Sequence, residues 1–90
     1  MVTRRKANET FGERLKEARD AKGQSQPEAA LELGIGQSTY NRWERDQVGR
    51  IEPESIPRAC AYLGIDDSDY LGVLIIRGTV KRAQQEGRLP

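Results

Sequence analysis

The sequence contains no histidine and a single cysteine. One cysteine allows no internal disulfide, which favours a reducing compartment such as the cytoplasm. Without histidine the chain also lacks the ligand set of a zinc site, so no metal or other cofactor is predicted. There is no glycine-rich phosphate loop and no paired nucleophile and base, so an enzyme is the least favoured class of protein.

Long apolar runs and aromatic residues are also scarce. No segment approaches the ~20 apolar residues of a membrane-spanning helix, and no membrane contact is predicted. The basic start of the chain leads into a polar helical pattern, so no signal peptide is predicted either. With one Trp, three Tyr and one Phe in 90 residues, the chain suits one small domain and argues against a β-sandwich.

The charge is nearly balanced but unevenly placed. The formal net charge is only +1, yet basic and acidic residues form separate groups along the chain. The basic groups are Arg4, Arg5 and Lys6; Arg42, Arg45 and Arg50; and Arg77, Lys81, Arg82 and Arg88. The acidic stretch contains Glu52, Glu54, Asp66, Asp67 and Asp69. This pattern suits a protein that turns one face towards a polyanion, although ordinary solvated charge would explain it too.

Local signals predict five helices and no repeat. The first helix starts with a capping box from Thr10 to Glu13 and ends at Gly23. A second capping box, from Ser25 to Glu28, starts the next helix.

The fourth and fifth helices are predicted from similar signals. Ser55 is the expected N-cap of the fourth helix, which ends at Gly64. Asp66 and Asp69 suit the positive end of a fifth helix, which either ends at Gly78 or continues beyond it.

Helices two and three are separated by a very short turn. Gly34 ends helix two and can take a positive φ, and Ile35 is apolar enough to fill the corner. Helix three spans 37–45 and has Tyr40 and Trp43 on its inward side. Two short helices joined in this way form a helix-turn-helix, placed here at helices two and three of an all-α domain.

Helix three turns a set of uncharged polar residues and one arginine outward. Asparagine and glutamine can bond bidentately to adenine, arginine can bond to guanine, and serine or threonine can bond to several base edges. No carboxylate interrupts its first turn. The outward residues are Gln37, Ser38, Thr39, Asn41 and Arg42. The competing interpretation is a polar helix end with Gln37 and Ser38 as local caps.

These features resemble the lambdoid phage repressor and Cro family, also called the XRE family. The resemblance covers the chain from about Phe11 to Leu71, and its order and spacing are more specific than any one motif. The matching segments are 11–19, Ser25-Gln26, 34–38, Trp43-Glu44 and 59–65. The resemblance implies a five-helix, lambda-repressor-like DNA-binding domain. We assign it to residues 10–77, between a basic arm at 1–9 and a basic tail, or extension of helix five, at 78–90.

The resemblance also implies individual roles. Gln26 would contact a phosphate and brace Gln37, which would read adenine. Asn41 and Arg42 would reach a base or the phosphates of the far strand. The side chains that would face neighbouring bases are Ser38 and Thr39.

One implied role is structural. Arg19 and Glu44 match a family pair that forms a buried salt bridge between helices one and three. The alternative is a surface ion pair of little energetic value.

The chain departs from the family after helix three. Asp46 stands where the family usually has glycine or asparagine, and the loop 46–52 is about one residue longer. We expect Arg45 and Arg50 to add positive charge around the DNA-reading surface. Arg50 and the Gly49 N–H would supply the missing phosphate contact. The arm residues either reach the DNA backbone or minor groove or form a solubilising tail. They are Arg4, Arg5 and Lys6.

Helix five is apolar on more than one side. One stripe, supplied by Leu71, Leu74 and Ile75, suits packing against helices one and four. A second stripe needs a partner to leave water and predicts a symmetric homodimer. This dimer stripe contains Val73, Ile76 and Val80. Because β-branched residues also favour strands, a short strand at 73–76 across the dimer is the alternative.

The sequence therefore predicts a sequence-specific, double-stranded DNA-binding transcriptional regulator. The simplest form is a repressor that binds a palindromic operator as a dimer, with half-sites about 34 Å apart. An antitoxin of the same fold, which binds a toxin protein and represses its own operon, is the alternative. A small adaptor that binds a protein through the acidic stretch and helix five is a third possibility.

Overall fold

The computed structural model describes residues 9–85, and the side chains of residues 9–83. Over residues 9–85 the chain forms five helices: α1 (Phe11–Lys22), α2 (Gln26–Leu33), α3 (Gln37–Glu44), α4 (Ser55–Leu63) and α5 (Ser68–Gln85). No strand occurs in the described range. The predicted all-α, five-helix fold is confirmed, and the alternative strand at 73–76 is wrong because this segment lies inside α5. Within the described part of the chain, no helix is both long and apolar enough to cross a bilayer.

Both predicted capping boxes are present. The Thr10 hydroxyl accepts a hydrogen bond from the Glu13 N–H at 3.2 Å, and the Glu13 carboxylate accepts one from the Thr10 N–H at 2.9 Å. Ser25 and Glu28 make the same reciprocal pair at the start of α2. Each box satisfies two N–H groups that a helix start otherwise leaves without partners.

Two predicted caps lie one residue from their expected positions. Ser55 is the first residue of α4, and its N-cap is Glu54, which already has helical dihedral angles. A turn produces this geometry, because the Ser55 N–H donates to the Glu52 carbonyl at 2.9 Å. At α5 the capping carboxylate belongs to Asp67, which accepts from the Asp69 N–H at 2.9 Å, and not to Asp66.

A single apolar core holds the helices together. Every helix contributes to it, and α3 contributes its two aromatic side chains. The rings of Phe11 and Trp43 lie 5.5 Å apart between centroids. The buried apolar residues are Phe11, Leu15, Ala29, Ala30, Leu33, Tyr40, Trp43, Ala59, Tyr62, Leu63, Leu71 and Leu74. Since the inward side of α3 is fixed in this core, its outward side has a defined orientation.

Asp46 connects the turn after α3 to the start of α1. It has a positive φ of 58°, the region where aspartate is tolerated better than most residues. Its carboxylate accepts hydrogen bonds from the Thr10 hydroxyl at 2.7 Å and from the Gly12 N–H at 2.8 Å. The carboxylate therefore sits at the positive end of α1, where negative charge is favourable.

The same aspartate explains why a glycine stands at position 78, inside α5. This glycine is buried, and a Cβ atom there would overlap the Asp46 side chain. Gly78 therefore allows α5 to pass close to the turn after α3, and the helix continues to Gln85.

A buried ion pair near the start of the described chain was not predicted. Arg14 contacts the Glu9 carboxylate at 3.0 Å and donates to the Leu63 carbonyl, also at 3.0 Å. The two charged side chains are only 6% and 5% exposed. This contact fixes α1 to the end of α4.

Candidate nucleic-acid interface

The turn between α2 and α3 sets the angle of the two helices. Gly34 adopts the left-handed conformation with φ 72°, which costs glycine nothing. The Ile35 N–H then donates to the Ala30 carbonyl at 3.0 Å, and the Ile35 side chain packs against the core. Gly36 follows as the N-cap of α3.

Five of the predicted DNA-binding residues meet in one shallow, open groove on the surface. They stand at positions i, i+1, i+4, i+5 and i+8, which lie on one face of a helix. The residues that line the groove are Gln37, Ser38, Asn41, Arg42 and Arg45. The described side chains that line it include no carboxylate, so nothing in the groove would repel a polyanion.

The start of α3 differs from the starts of α1 and α2. Among the described residues no side chain caps it, because its N-cap is Gly36. The N–H groups of a first helical turn have no partner inside the helix. Together with the positive end of the helix dipole, they suit a phosphate group.

The two arginines of the groove are available to an anion. Arg42 and Arg45 are both exposed, and neither forms an ion pair within residues 9–83. The groove therefore combines two cationic side chains with three uncharged hydrogen-bonding ones.

Glu44 faces the opposite way and joins three helices. Its carboxylate accepts hydrogen bonds from Arg19 Nε at 2.7 Å, the Tyr40 hydroxyl at 2.5 Å and the Gln26 amide at 3.1 Å. Its side chain is 8% exposed, and that of Arg19 is 16% exposed. Arg19 and Glu44 thus form a largely buried pair between α1 and α3.

The protonation states in this cluster follow from its contacts. Burial raises the pKa of Glu44, but hydrogen bonds from Arg19, Tyr40 and Gln26 outweigh it, so the pKa is lowered overall. Burial, followed by the hydrogen bond to Glu44, strongly raises the pKa of Tyr40. At neutral pH the carboxylate is therefore ionised, and the Tyr40 hydroxyl keeps its proton and donates.

Gln26 does not brace Gln37, contrary to the prediction. Its amide nitrogen donates to Glu44, and its amide oxygen accepts from Asn41 Nδ2 at 3.2 Å. The reason is the position of Glu44, near the end of α3, which draws the Gln26 side chain away from the first turn. Asn41 is therefore the groove residue that Gln26 holds.

A comparison with family models agrees with this geometry. Residues 10–70 match the model of a helix-turn-helix domain. The chain belongs to the helix-turn-helix domain family. The matched region contains every residue of the groove, together with Gln26, Arg19 and Glu44. No curated protein and no solved structure matches the chain.

Helix-turn-helix domains place their second helix in the major groove of DNA. In this chain the motif consists of α2 and α3, so the second helix of the motif is α3, whose outward face forms the groove. Family membership therefore supports DNA as the partner of the domain and a DNA-binding regulator as its class.

Among the described residues, Thr39, Arg50 and the predicted dimer stripe do not line the groove. Thr39 is half-buried, and Arg50 is exposed in the loop between α3 and α4. The arm residues Arg4, Arg5 and Lys6 lie outside the described residues. The predicted dimer stripe lies on α5 and is exposed to solvent: Val73 by 41%, Ile76 by 64% and Val80 by 45%.

Proposed function

We propose that this protein is a sequence-specific regulator of transcription that binds duplex DNA through the outward face of α3. One observation carries the proposal: five polar or cationic side chains meet on that face, in a groove without a carboxylate. Arginine, asparagine, glutamine and serine are the residue types that bond to base edges in the major groove. The simplest activity is that of a repressor of the phage repressor and Cro type, which acts by occupying its operator.

We further propose that the protein binds a palindromic operator as a homodimer. One helix-turn-helix covers about one half-site, so useful affinity requires two copies. The exposed stripe of α5 supplies an apolar surface for a two-fold contact, in which the same residues of both copies meet.

Replacing Arg42 by alanine should weaken specific binding by about 1–3 kcal/mol if this side chain contacts a base. Gln37→Ala should cost a similar amount and relax the preference at one position of the site. Lys16→Ala is the control, because Lys16 lies on α1 beside Glu13, Glu17 and Asp20, away from the groove. The measurement is a titration of labelled operator and random duplexes with each protein. If both groove variants bind like the parent, α3 is not the recognition helix.

Ile76→Glu should give a folded monomer that binds the operator much more weakly, because it puts a charge into the proposed two-fold contact. Leu31→Glu is the matched control: Leu31 is 82% exposed on α2 and outside the stripe, so its variant should keep the oligomeric state of the parent. Sedimentation at increasing concentration measures the mass. A parent that is monomeric at high micromolar concentration without DNA would exclude a pre-formed dimer and leave pairing on the operator.

A further inference from the structure

Three side chains form a chain of hydrogen bonds from the inside of the domain to the groove. Glu44 accepts from Gln26 at 3.1 Å, and Gln26 accepts from Asn41 at 3.2 Å. Gln26 and Asn41 are both half-buried, and Asn41 lines the groove. The inner end of this chain is fixed, because Arg19 and the Tyr40 hydroxyl also donate to the same carboxylate.

The Glu44 carboxylate, at the inner end of this series of hydrogen bonds, determines which atoms donate and which accept. An ionised carboxylate can only accept hydrogen bonds. The atom of Gln26 that faces Glu44 is therefore the amide nitrogen, and the atom that faces Asn41 is the amide oxygen. That oxygen can also only accept, so Asn41 turns its amide nitrogen inward, towards Gln26. The side-chain oxygen of Asn41 is then left without a partner from Gln26.

We propose that Asn41 accepts, through its side-chain oxygen, a hydrogen bond from an exocyclic amino group in the major groove of DNA, and that Gln26 fixes the amide in this orientation. The inference rests on the proposed function and adds to it the chemistry that one reading residue recognises. It makes Gln26 a positioning residue that determines specificity at one base pair.

The orientation limits what the Asn41 oxygen can contact. Phosphate oxygens only accept hydrogen bonds, and the major-groove edge of guanine offers only the acceptors N7 and O6. Donors in the major groove are the N6 amino group of adenine and the N4 amino group of cytosine. Among the base edges of the major groove, only these two groups can donate a hydrogen bond to the Asn41 oxygen.

The first step of the test identifies the base pair that Asn41 reads. Binding sites are selected from a random duplex library with the parent protein and with Asn41→Ala. Asn41→Ala should no longer prefer one base pair at a particular position of the selected site. A duplex is then made in which the base pair at that position lacks its exocyclic amino group. Purine replaces adenine, or 2-pyrimidinone replaces cytosine, according to the pair selected.

We expect the parent to lose about tenfold in affinity for the altered duplex, in line with the loss of one specific base contact. Asn41→Ala should bind the original and the altered duplex with similar affinity. Any remaining difference would come from the weaker base pair itself. If the parent and Asn41→Ala respond equally to removal of the amino group, the proposed contact does not exist.

The second step tests the role of Gln26. Gln26→Met keeps the length of the side chain but removes both its donor and its acceptor. It should relax the preference at the same base pair as Asn41→Ala, and the two substitutions together should have little more effect than one. Gln37→Ala lies in the same groove but outside the chain of hydrogen bonds, so it should relax a different position. A thermal melt of each variant checks that it is folded.

Other outcomes distinguish a failure of this inference from a failure of the proposed function. If Gln26→Met weakens binding to all sequences equally, Gln26 only contacts a phosphate and the inference is wrong. A parent that selects no sequence from the library contradicts the proposed function itself. A parent that selects an operator while Gln26→Met keeps every preference contradicts the inference alone.

Discussion

Arg19→Met is expected to lower the free energy of unfolding by about 3–5 kcal/mol at neutral pH. The guanidinium bonds Glu44 through Nε at 2.7 Å and Nη2 at 3.3 Å. Without it the carboxylate keeps two neutral donors but loses the one cation that forms an ion pair with it among the described residues, in a site where its side chain is 8% exposed. An uncompensated buried charge is more costly than the absence of the whole pair. Equilibrium unfolding in urea measures the loss.

The stability lost in Arg19→Met should become smaller as the pH falls. In the parent the pKa of Glu44 is lowered overall, so this carboxylate stabilises the fold above its unfolded pKa, and the contribution is lost as the pH falls through its folded pKa. In Arg19→Met burial should dominate and raise the pKa of Glu44. When the pH is lowered, Glu44 becomes protonated in the variant. This removes the unpaired buried charge and restores part of the lost stability. The difference in stability between the two proteins should therefore shrink between about pH 7 and about pH 4.

Lys16→Met is the matched control for this prediction. Lys16 forms an ion pair with Asp20 on the same helix, but the two side chains are 63% and 57% exposed. Exposed pairs of this kind contribute little, so the loss should stay within about 0.5 kcal/mol. An Arg19→Met variant as stable as Lys16→Met would mean that the Arg19–Glu44 pair is solvated in solution.

Gly12→Ala is expected to destabilise the fold by about 3 kcal/mol. A Cβ atom on Gly12 would lie 2.9 Å from the Trp43 carbonyl oxygen and 2.8 Å from the Glu44 carbonyl carbon, and closer still to the Glu44 carbonyl oxygen. All of these are backbone atoms, so no side-chain rotation can make room. Helices α1 and α3 would have to separate where they cross, which places the substitution at the costly end of overpacking. The same urea titration measures the effect.

Gly72→Ala is the control for the effect of replacing glycine by alanine in a helix where there is no steric overlap. Gly72 lies inside α5, and a Cβ atom there would meet nothing within 4 Å. Alanine favours a helix over glycine by about 1 kcal/mol, so this variant should be more stable than the parent. The two substitutions should thus have opposite signs. Equal effects would show that helix propensity, and not the close approach of α1 and α3, decides the result at Gly12.

The local sequence determined where most helices begin and end. The capping boxes at Thr10 and Ser25 are formed by residues three positions apart, so their signal does not depend on the rest of the fold. The sequence also predicted that Tyr40 and Trp43 point inward, because the periodicity of a helix assigns its faces. With those faces fixed, the outward position of the groove residues followed as well.

Contacts between residues distant in sequence determined the rest. Position 78, inside α5, requires glycine because the side chain of Asp46, far away in the sequence, occupies the space that a Cβ atom would need. Gln26 holds Asn41, and not Gln37, because the carboxylate of Glu44 fixes the direction of its amide. Arg14 is buried because both Glu9 and the Leu63 carbonyl meet it. Caps and helix faces depend on neighbours within one or two turns and can be read from the sequence. The partner of a polar side chain depends on which helices cross beside it, and only the tertiary structure determines that.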